Sequence, residues 1–304
     1  MIARGYRMAE DFCRTELPTL TIDAAKEDLL VATKTALAGK SHEAMRIHLA
    51  SLSVEAAEII IDTQSGITIA DPTRVKVLSQ SGGVVTDSHL VTGLVLAKKR
   101  ILEAMPKKIG AGKVLLINGG IERRGMASEM KLNVTSPGVL QSFRDKEIEM
   151  LIQQVEHLQS LGVTLLACKE GIDDDIRSAL NEAGIQAFRR VAKEDLDLLA
   201  RGCGATLLYD VKRATASDLG AFIESRNEMW NGVAHWIVDT EEGGATFIAR
   251  GSTIDVLGEV ERCFADALGV ACQLLEEPLL LAGGGATQVA LARKLRRYAE
   301  TIPG

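Results

Sequence analysis

Two polar residues stand where chemistry could be built: Asp266 and Lys40. Asp266 interrupts a run from Ile254 to Leu275 whose apolar residues, among them Val260, Phe264, Ala267 and Ala271, recur at helical spacing. A carboxylate so near an apolar helix stripe requires a reason, because an unpaired buried charge is costly. A solvated place on the helix is the plain alternative. Lys40 lies in Leu37-Ala38-Gly39-Lys40-Ser41, which approaches a phosphate-cradling loop. That motif requires a glycine five residues before Gly39, where Lys34 stands, and a preceding strand, where the pattern here is helical. The match fails, and a solvated loop lysine is the plain reading. Gly110-Ala111-Gly112-Lys113 leads into a strand and reads as a turn. The five cysteines are scattered, with no C-x-x-C pair and no histidine beside them, so they read as buried free thiols of a cytosolic protein and no metal site is predicted. No Ser-His-Asp set and no dinucleotide fingerprint emerges.

The elements around these residues divide into two kinds. Residues 1 to about 66 read as helices, one capped by Asp23 and running through Ala38, another capped by Ser41 and carrying Met45, Leu49, Leu52, Ala56, Ile59 and Ile60 on one face. Thr68 to Leu78 alternates like a strand, and Lys113 to Ile117 is a buried strand. Pro137 opens a long helix to about Ser160, with Leu140, Phe143, Leu151, Val155 and Leu158 on one stripe. Ile148, Met150 and Ile152 fall off that stripe, so the helix has more apolar surface than one packed face uses. It is buried on two sides, or part of it is an interaction surface. From Val163 the pattern is β-α-β-α-β: strand to Cys168, helix Asp173 to Ala183, strand Gln186 to Arg189, helix Lys193 to Arg201, strand Thr206 to Tyr209. Trp236-Ile237-Val238 and Thr246-Phe247-Ile248 look like paired strands. Ser252 or Thr253 can cap the helix that carries Asp266. Pro278 closes that helix, and Gly283-Gly284-Gly285 breaks the chain before another begins near Thr287.

Composition narrows the function classes. At 304 residues and 46% apolar, the chain suffices for about two domains, and with 4% aromatics its core is aliphatic. A net charge of -6 argues against nucleic acid or an anionic membrane as the main partner. Met1 to Arg7 leads into an amphipathic helix and not into the apolar centre of a signal peptide. No apolar run approaches the roughly 20 residues of a membrane span.

Four blocks taken together resemble the group II chaperonins, the thermosome and its TCP-1 relatives: Arg250-Gly251-Ser252-Thr253, Glu259-Val260-Glu261-Arg262, Asp266-Ala267-Leu268 and Gly283-Gly284-Gly285-Ala286. Asp87-Ser88, Leu90, Gly93, Met105-Pro106, Gly171-Ile172-Asp173-Asp174, Gly184-Ile185 and Arg189-Arg190-Val191 extend the likeness over essentially the whole chain. The resemblance implies an α/β fold: a chaperonin apical domain, a sheet flanked by helices with a helical protrusion, joined to a mostly helical intermediate domain. It sets the intermediate domain at residues 1–70 and 250–282, the apical domain at 71–249 with the protrusion about 123–161, and an equatorial remnant at 283–304.

The same resemblance implies roles. Asp266 matches the aspartate that orients the attacking water in ATP hydrolysis, where phosphoryl transfer needs a positioned proton acceptor. Lys40 matches the lysine that senses the γ-phosphate, and Gly283, Gly284 and Gly285 lie next to the nucleotide. Phe143, Ile148, Met150, Ile152, Ile176 and Leu180 are the expected contacts to unfolded clients. ATP and Mg2+ are the family's cofactors. The family's phosphate-binding Gly-Asp-Gly-Thr-Thr string does not occur in these residues, so the chain alone is expected to bind neither and to be inactive as an ATPase. Unfolded proteins and other chaperonin subunits are the expected partners, without nucleic acid or membrane, in the cytoplasm. The readings carried forward are a segment of an ATP-driven folding machine, or a passive binder of unfolded chains that can dock on a ring. An unrelated α/β enzyme is the third reading, and no motif supports it.

Overall fold

The computed structural model describes residues 2–17, 19–21, 26–40, 42–64, 67–122, 137–240 and 244–301. Its helices are α1 (Ile2–Thr15), α2 (Lys26–Ala36), α3 (Glu43–Ile60), α4 (Pro137–Ser160), α5 (Arg177–Glu182), α6 (Lys193–Cys203), α7 (Ile254–Glu276) and α8 (Ala286–Glu300). The chain forms two compact units, Met1–Pro72 with Arg262–Gly304, and Thr73–Glu261. Residues 250–261, expected with the helical part, group with the second unit, and 283–304 group with the first.

The helical unit holds α1, α2, α3, α8 and the part of α7 from Arg262 onward. The helical pattern of α3 buries Met45, Leu49, Val54, Ala57 and Ile60, and α7 buries Cys263, Phe264, Ala267 and Ala271. The Ser53 hydroxyl in α3 donates to the Phe264 carbonyl at 3.5 Å, which ties the two helices. Two short antiparallel ladders complete the unit: Thr19–Thr21 with Leu279–Leu281, and Asp62–Gln64 with Ile67–Ile69. Asp23 and Ser41, expected as helix caps, lie outside the described residues. His42 holds the N-cap of α3, its ring Nδ1 accepting from Met45 N.

The second unit is built on a parallel sheet in the order Gln186–Phe188, Val163–Cys168, Gly112–Ile117, Leu207–Leu208. Gly220–Phe222 pairs antiparallel with the first half of the Gly112–Ile117 strand. Side chains alternate across this sheet. Leu115, Ile117, Leu166 and Cys168 join a core with Leu151, Val155 and Leu158 of α4 and Leu180 of α5. Val114, Leu116, Leu165 and Ala167 join a second core with Leu196 and Leu199 of α6, Phe188 and Trp236. Burial on both faces explains why these strands read as continuous apolar runs. Fully burying each Val, Leu or Ile contributes about 1.5–3 kcal/mol.

One expected pairing is overturned. Val233–Asp239 pairs with Glu224–Trp230 and Leu94–Leu96, whereas Ala245–Gly251 pairs with Val75–Ser81 and His89–Thr92. The two segments thus lie in different sheets. The hairpin signal was Asn231-Gly232, which turn with φ of 50° and 80°, the left-handed values that a tight two-residue hairpin loop requires. α7 begins as expected, with the Thr253 hydroxyl accepting from Val256 N at 3.2 Å.

A buried polar chain pins the second core. Trp236 Nε1 donates to Ser225 Oγ at 2.9 Å, Ser225 donates to Gln186 Oε1 at 2.6 Å, and Gln186 Nε2 donates to the Pro106 carbonyl at 2.8 Å. Ser225 and Gln186 are buried and Trp236 stacks on Phe188 at 3.9 Å. Removing the hydroxyl would leave a buried donor and a buried acceptor unsatisfied. Ser225→Ala should therefore cost about 1–3 kcal/mol, read from urea denaturation. A loss under about 0.5 kcal/mol would mean that water replaces the hydroxyl.

Candidate functional site

Lys40 and Asp266 are 226 positions apart in sequence, and the helical unit brings them together. Lys40 Nζ lies 2.6 Å from Asp266 Oδ2. Asp266 follows the buried Phe264 and precedes the buried Ala267, so it stands at the edge of the apolar stripe of α7. Its side chain is 45% exposed, which answers the question raised by a carboxylate in that run: it is both solvated and paired. Lys40 ends the turn after α2. Leu37, fully buried, anchors that turn, and Gly39 reverses the chain at φ 83°. Lys34 and Glu43 close the turn from either side at 2.7 Å, and the Lys34 ammonium holds the Glu43 carboxyl below the usual range. Gly283, Gly284 and Gly285 form the turn before α8, the last two at φ 65° and 80°, with Gly285 as N-cap.

The expected client-contact residues separate by burial. Met150 is 50% exposed and Ile152 38%, while the intervening Leu151 is buried in the core. Ile148 is half-buried. Phe143 lies in α4, and its side chain falls outside the described residues, as do 123–136, the start of the expected protrusion. Ile176 and Leu180 are fully buried in the core beneath the sheet. These two are corrections. The short helix Arg177–Glu182 and the turn before it spend both residues on packing, so neither presents apolar surface to a client.

Sequence reasoning missed a crevice in the α/β unit. It opens at the carboxyl ends of the Gly112–Ile117 and Leu207–Leu208 strands, against α4, with a volume of about 190 Å3. Glu122, Glu147, Met150, Tyr209, Asp210 and Lys212 line it. Gly119 and Gly120 allow the backbone to pass close by: a Cβ would sit 2.9 Å from the Tyr209 carbonyl at the first and 2.7 Å from the Gly171 carbonyl at the second. His157 Nε2 of α4 donates to the Ala214 carbonyl at 3.0 Å, fixing that wall. The legible signal was a glycine pair directly after a buried parallel strand.

A model of the TCP-1/cpn60 chaperonin family matches residues 1–304. The chain belongs to this chaperonin family. A thermosome subunit of Methanocaldococcus jannaschii is 33% identical over 309 residues, covering 100% of this chain and 57% of that protein. The thermosome subunit beta of Methanothermobacter thermautotrophicus is 34% identical over 307 residues, covering 100% of this chain and 56% of that one. The open-state monomer of a group II chaperonin from Methanococcoides burtonii superimposes with a TM-score of 0.80 at 28% identity, covering 100% of this chain and 71% of that chain. The chain spans a little over half the length of these curated relatives. Its fold is the mixed α/β fold of a group II chaperonin.

A nucleotide with its metal requires a phosphate cradle and oxygen ligands. The Lys40–Asp266 pair supplies one ammonium and one carboxylate, engaged with each other. Among the described residues, no group of three or more His, Cys, Asp or Glu is placed to hold a metal ion. One ammonium and one carboxylate are not in themselves a phosphate cradle with its metal ligands. Among the described residues, no helix is long and apolar enough to cross a membrane.

Solvent on both partners screens the Lys40–Asp266 attraction. A double-mutant cycle with Lys40→Ala and Asp266→Ala should return a coupling of about 0.2–1 kcal/mol by urea denaturation. A coupling above roughly 2 kcal/mol would make the pair a structural staple.

Proposed function

We propose that this chain is the client-handling and hinge portion of a group II chaperonin. In this reading Thr73–Glu261 is the apical part, which holds unfolded proteins, and the helical unit is the intermediate part, whose Lys40 and Asp266 answer to nucleotide. The observation that carries it is the 2.6 Å meeting of the two residues that matched the family's γ-phosphate sensor and water-orienting aspartate. Asp266 would accept the proton of the attacking water in the assembled machine. Lys40 would respond to the phosphate. Neither supplies the cradle or the metal ligands, which belong to whatever completes the nucleotide site. Other chaperonin subunits are the natural partners of such a portion, and the cytoplasm is the compartment that suits its free thiols.

The client surface in this reading lies on α4. Its core face is already occupied by Leu151, Val155 and Leu158, so Met150 and Ile152 remain outside. Exposed apolar side chains on an otherwise packed helix suit non-native proteins, whose own apolar side chains are exposed. Methionine is adaptable enough to meet many partners.

Two outcomes are expected of the 304-residue chain. It should suppress aggregation of a chemically unfolded protein without ATP, as followed by light scattering. Met150→Asp with Ile152→Asp should weaken that protection by roughly tenfold or more, since burying each side chain is worth about 1.5–3 kcal/mol. No protection at several-fold molar excess of folded chain would defeat the client reading. In a phosphate-release assay the chain should turn over no ATP above background. Turnover that vanishes in Asp266→Ala would overturn the view that the pair lacks its pocket.

A further inference from the structure

The crevice beside α4 lies where the sheet changes direction. From the Gly112–Ile117 strand the chain moves outward to Val163–Cys168 and then to Gln186–Phe188. It returns through α6 to Leu207–Leu208 on the other side of the first strand. Loops leaving the first and last of these strands therefore part at their carboxyl ends. Such a switch point leaves a gap that ligands use in open parallel sheets. Here the gap is about 190 Å3, below the roughly 300–1,000 Å3 of small-molecule sites, so it suits one long side chain.

Its lining selects the chemistry of that side chain. Three acidic residues, Glu122, Glu147 and Asp210, outnumber one lysine, Lys212, in that lining. Asp210 Oδ1 also accepts from Lys212 N at 3.1 Å, which fixes this carboxylate in the wall. Tyr209, 76% exposed, and Met150 supply an aromatic face and an adaptable thioether at the mouth. A guanidinium matches all of these features. It pairs with carboxylates, stacks on an aromatic ring, and carries an aliphatic stem that can lie along a methionine. Tyr209 also borders a neighbouring depression lined by Leu207, Leu208, Asp210 and Arg213, whose leucines suit an aliphatic side chain next to the cation.

We infer that this crevice binds an arginine side chain of an extended polypeptide, flanked by an aliphatic residue. The inference rests on the client-handling reading and gives it a sequence preference: a basic residue within an apolar stretch. The lining includes Met150, so a segment bound in the crevice also meets this exposed side chain of α4.

The test uses fluorescein-labelled peptides, titrated with the full chain and read by anisotropy. One carries Leu-Arg-Leu at its centre, and the other carries citrulline in place of arginine, which keeps the shape and removes the charge. The arginine peptide should bind at least about tenfold tighter, as a charge-assisted pair requires. Raising the salt should erase that advantage. Glu147→Gln, verified as folded by circular dichroism, should lower arginine-peptide affinity and leave citrulline-peptide affinity unchanged, whereas Tyr209→Ala, verified in the same way, should weaken both peptides and the arginine peptide more. Equal affinity for the two peptides, or no effect of either substitution, refutes the arginine site. If aggregation suppression survives that result, the client reading stands without it. If neither peptide binds and suppression is also absent, both fall.

Discussion

Burial of the Gly112–Ile117 strand on both faces is the constraint around which Thr73–Glu261 is arranged. Val114, Leu115, Leu116 and Ile117 are wholly withdrawn from water, with alternate side chains entering two different cores. A strand of this kind cannot be covered by one layer. It requires helices on each face, and α4 with α5 on one side and α6 on the other meet the requirement. Parallel neighbours then follow, because each crossover helix returns the chain to the same end of the sheet. The carboxyl end of the strand is left to loops, and the crevice lies among them. Its position thus follows from strand order, while its chemistry depends on which side chains those loops carry.

In the helical unit the relation between packing and chemistry differs. Lys40 and Asp266 are about 40% and 45% exposed, and exposed ion pairs are worth about 0–1 kcal/mol. So small a term cannot hold helices in place. The helices hold the pair: Leu37 anchors the turn that ends in Lys40, and Phe264 and Ala267 seat the part of α7 that carries Asp266. A pair that contributes little to stability can be opened at little cost. That property suits a response to an approaching anion better than it suits a brace.

The long, strongly patterned elements were legible in the sequence. The strand Val163–Cys168 has the expected bounds and α4 ends at Ser160 as expected, because period and flanking residues agree at those places. Asp266 stands out in the sequence because it breaks a pattern, but its partner is legible only through family likeness, since spacing carries no information across 226 residues. Pairing between distant strands was illegible for the same reason. Trp236-Ile237-Val238 and Thr246-Phe247-Ile248 are both apolar and close in sequence, yet each finds its neighbours elsewhere, and Asn231-Gly232 held the better local signal. Ile176 and Leu180 were misjudged because helical spacing marks an apolar face without saying whether a sheet lies beneath it. The crevice had no signature beyond two glycines, because its carboxylates come from three separate segments.

Exposed apolar surface raises a physical difficulty of its own, since a patch that captures unfolded chains can also capture another copy of itself. The composition of α4 and its surroundings bears on this. Met150 and Ile152 are neighboured in sequence by Glu147 and Glu149, and the adjacent crevice adds Glu122 and Asp210, so that carboxylates outnumber the nearby Lys146 and Lys212. Two copies meeting face to face would bring like charges together while desolvating them, which opposes association. The chain as a whole carries -6, in the same direction. In the client-handling reading, a segment with a cation among apolar residues meets no such barrier, so the carboxylates would discriminate between an unfolded basic segment and the protein's own surface. On that reading apolar contact would supply the attraction and the acidic residues would decide which partners receive it.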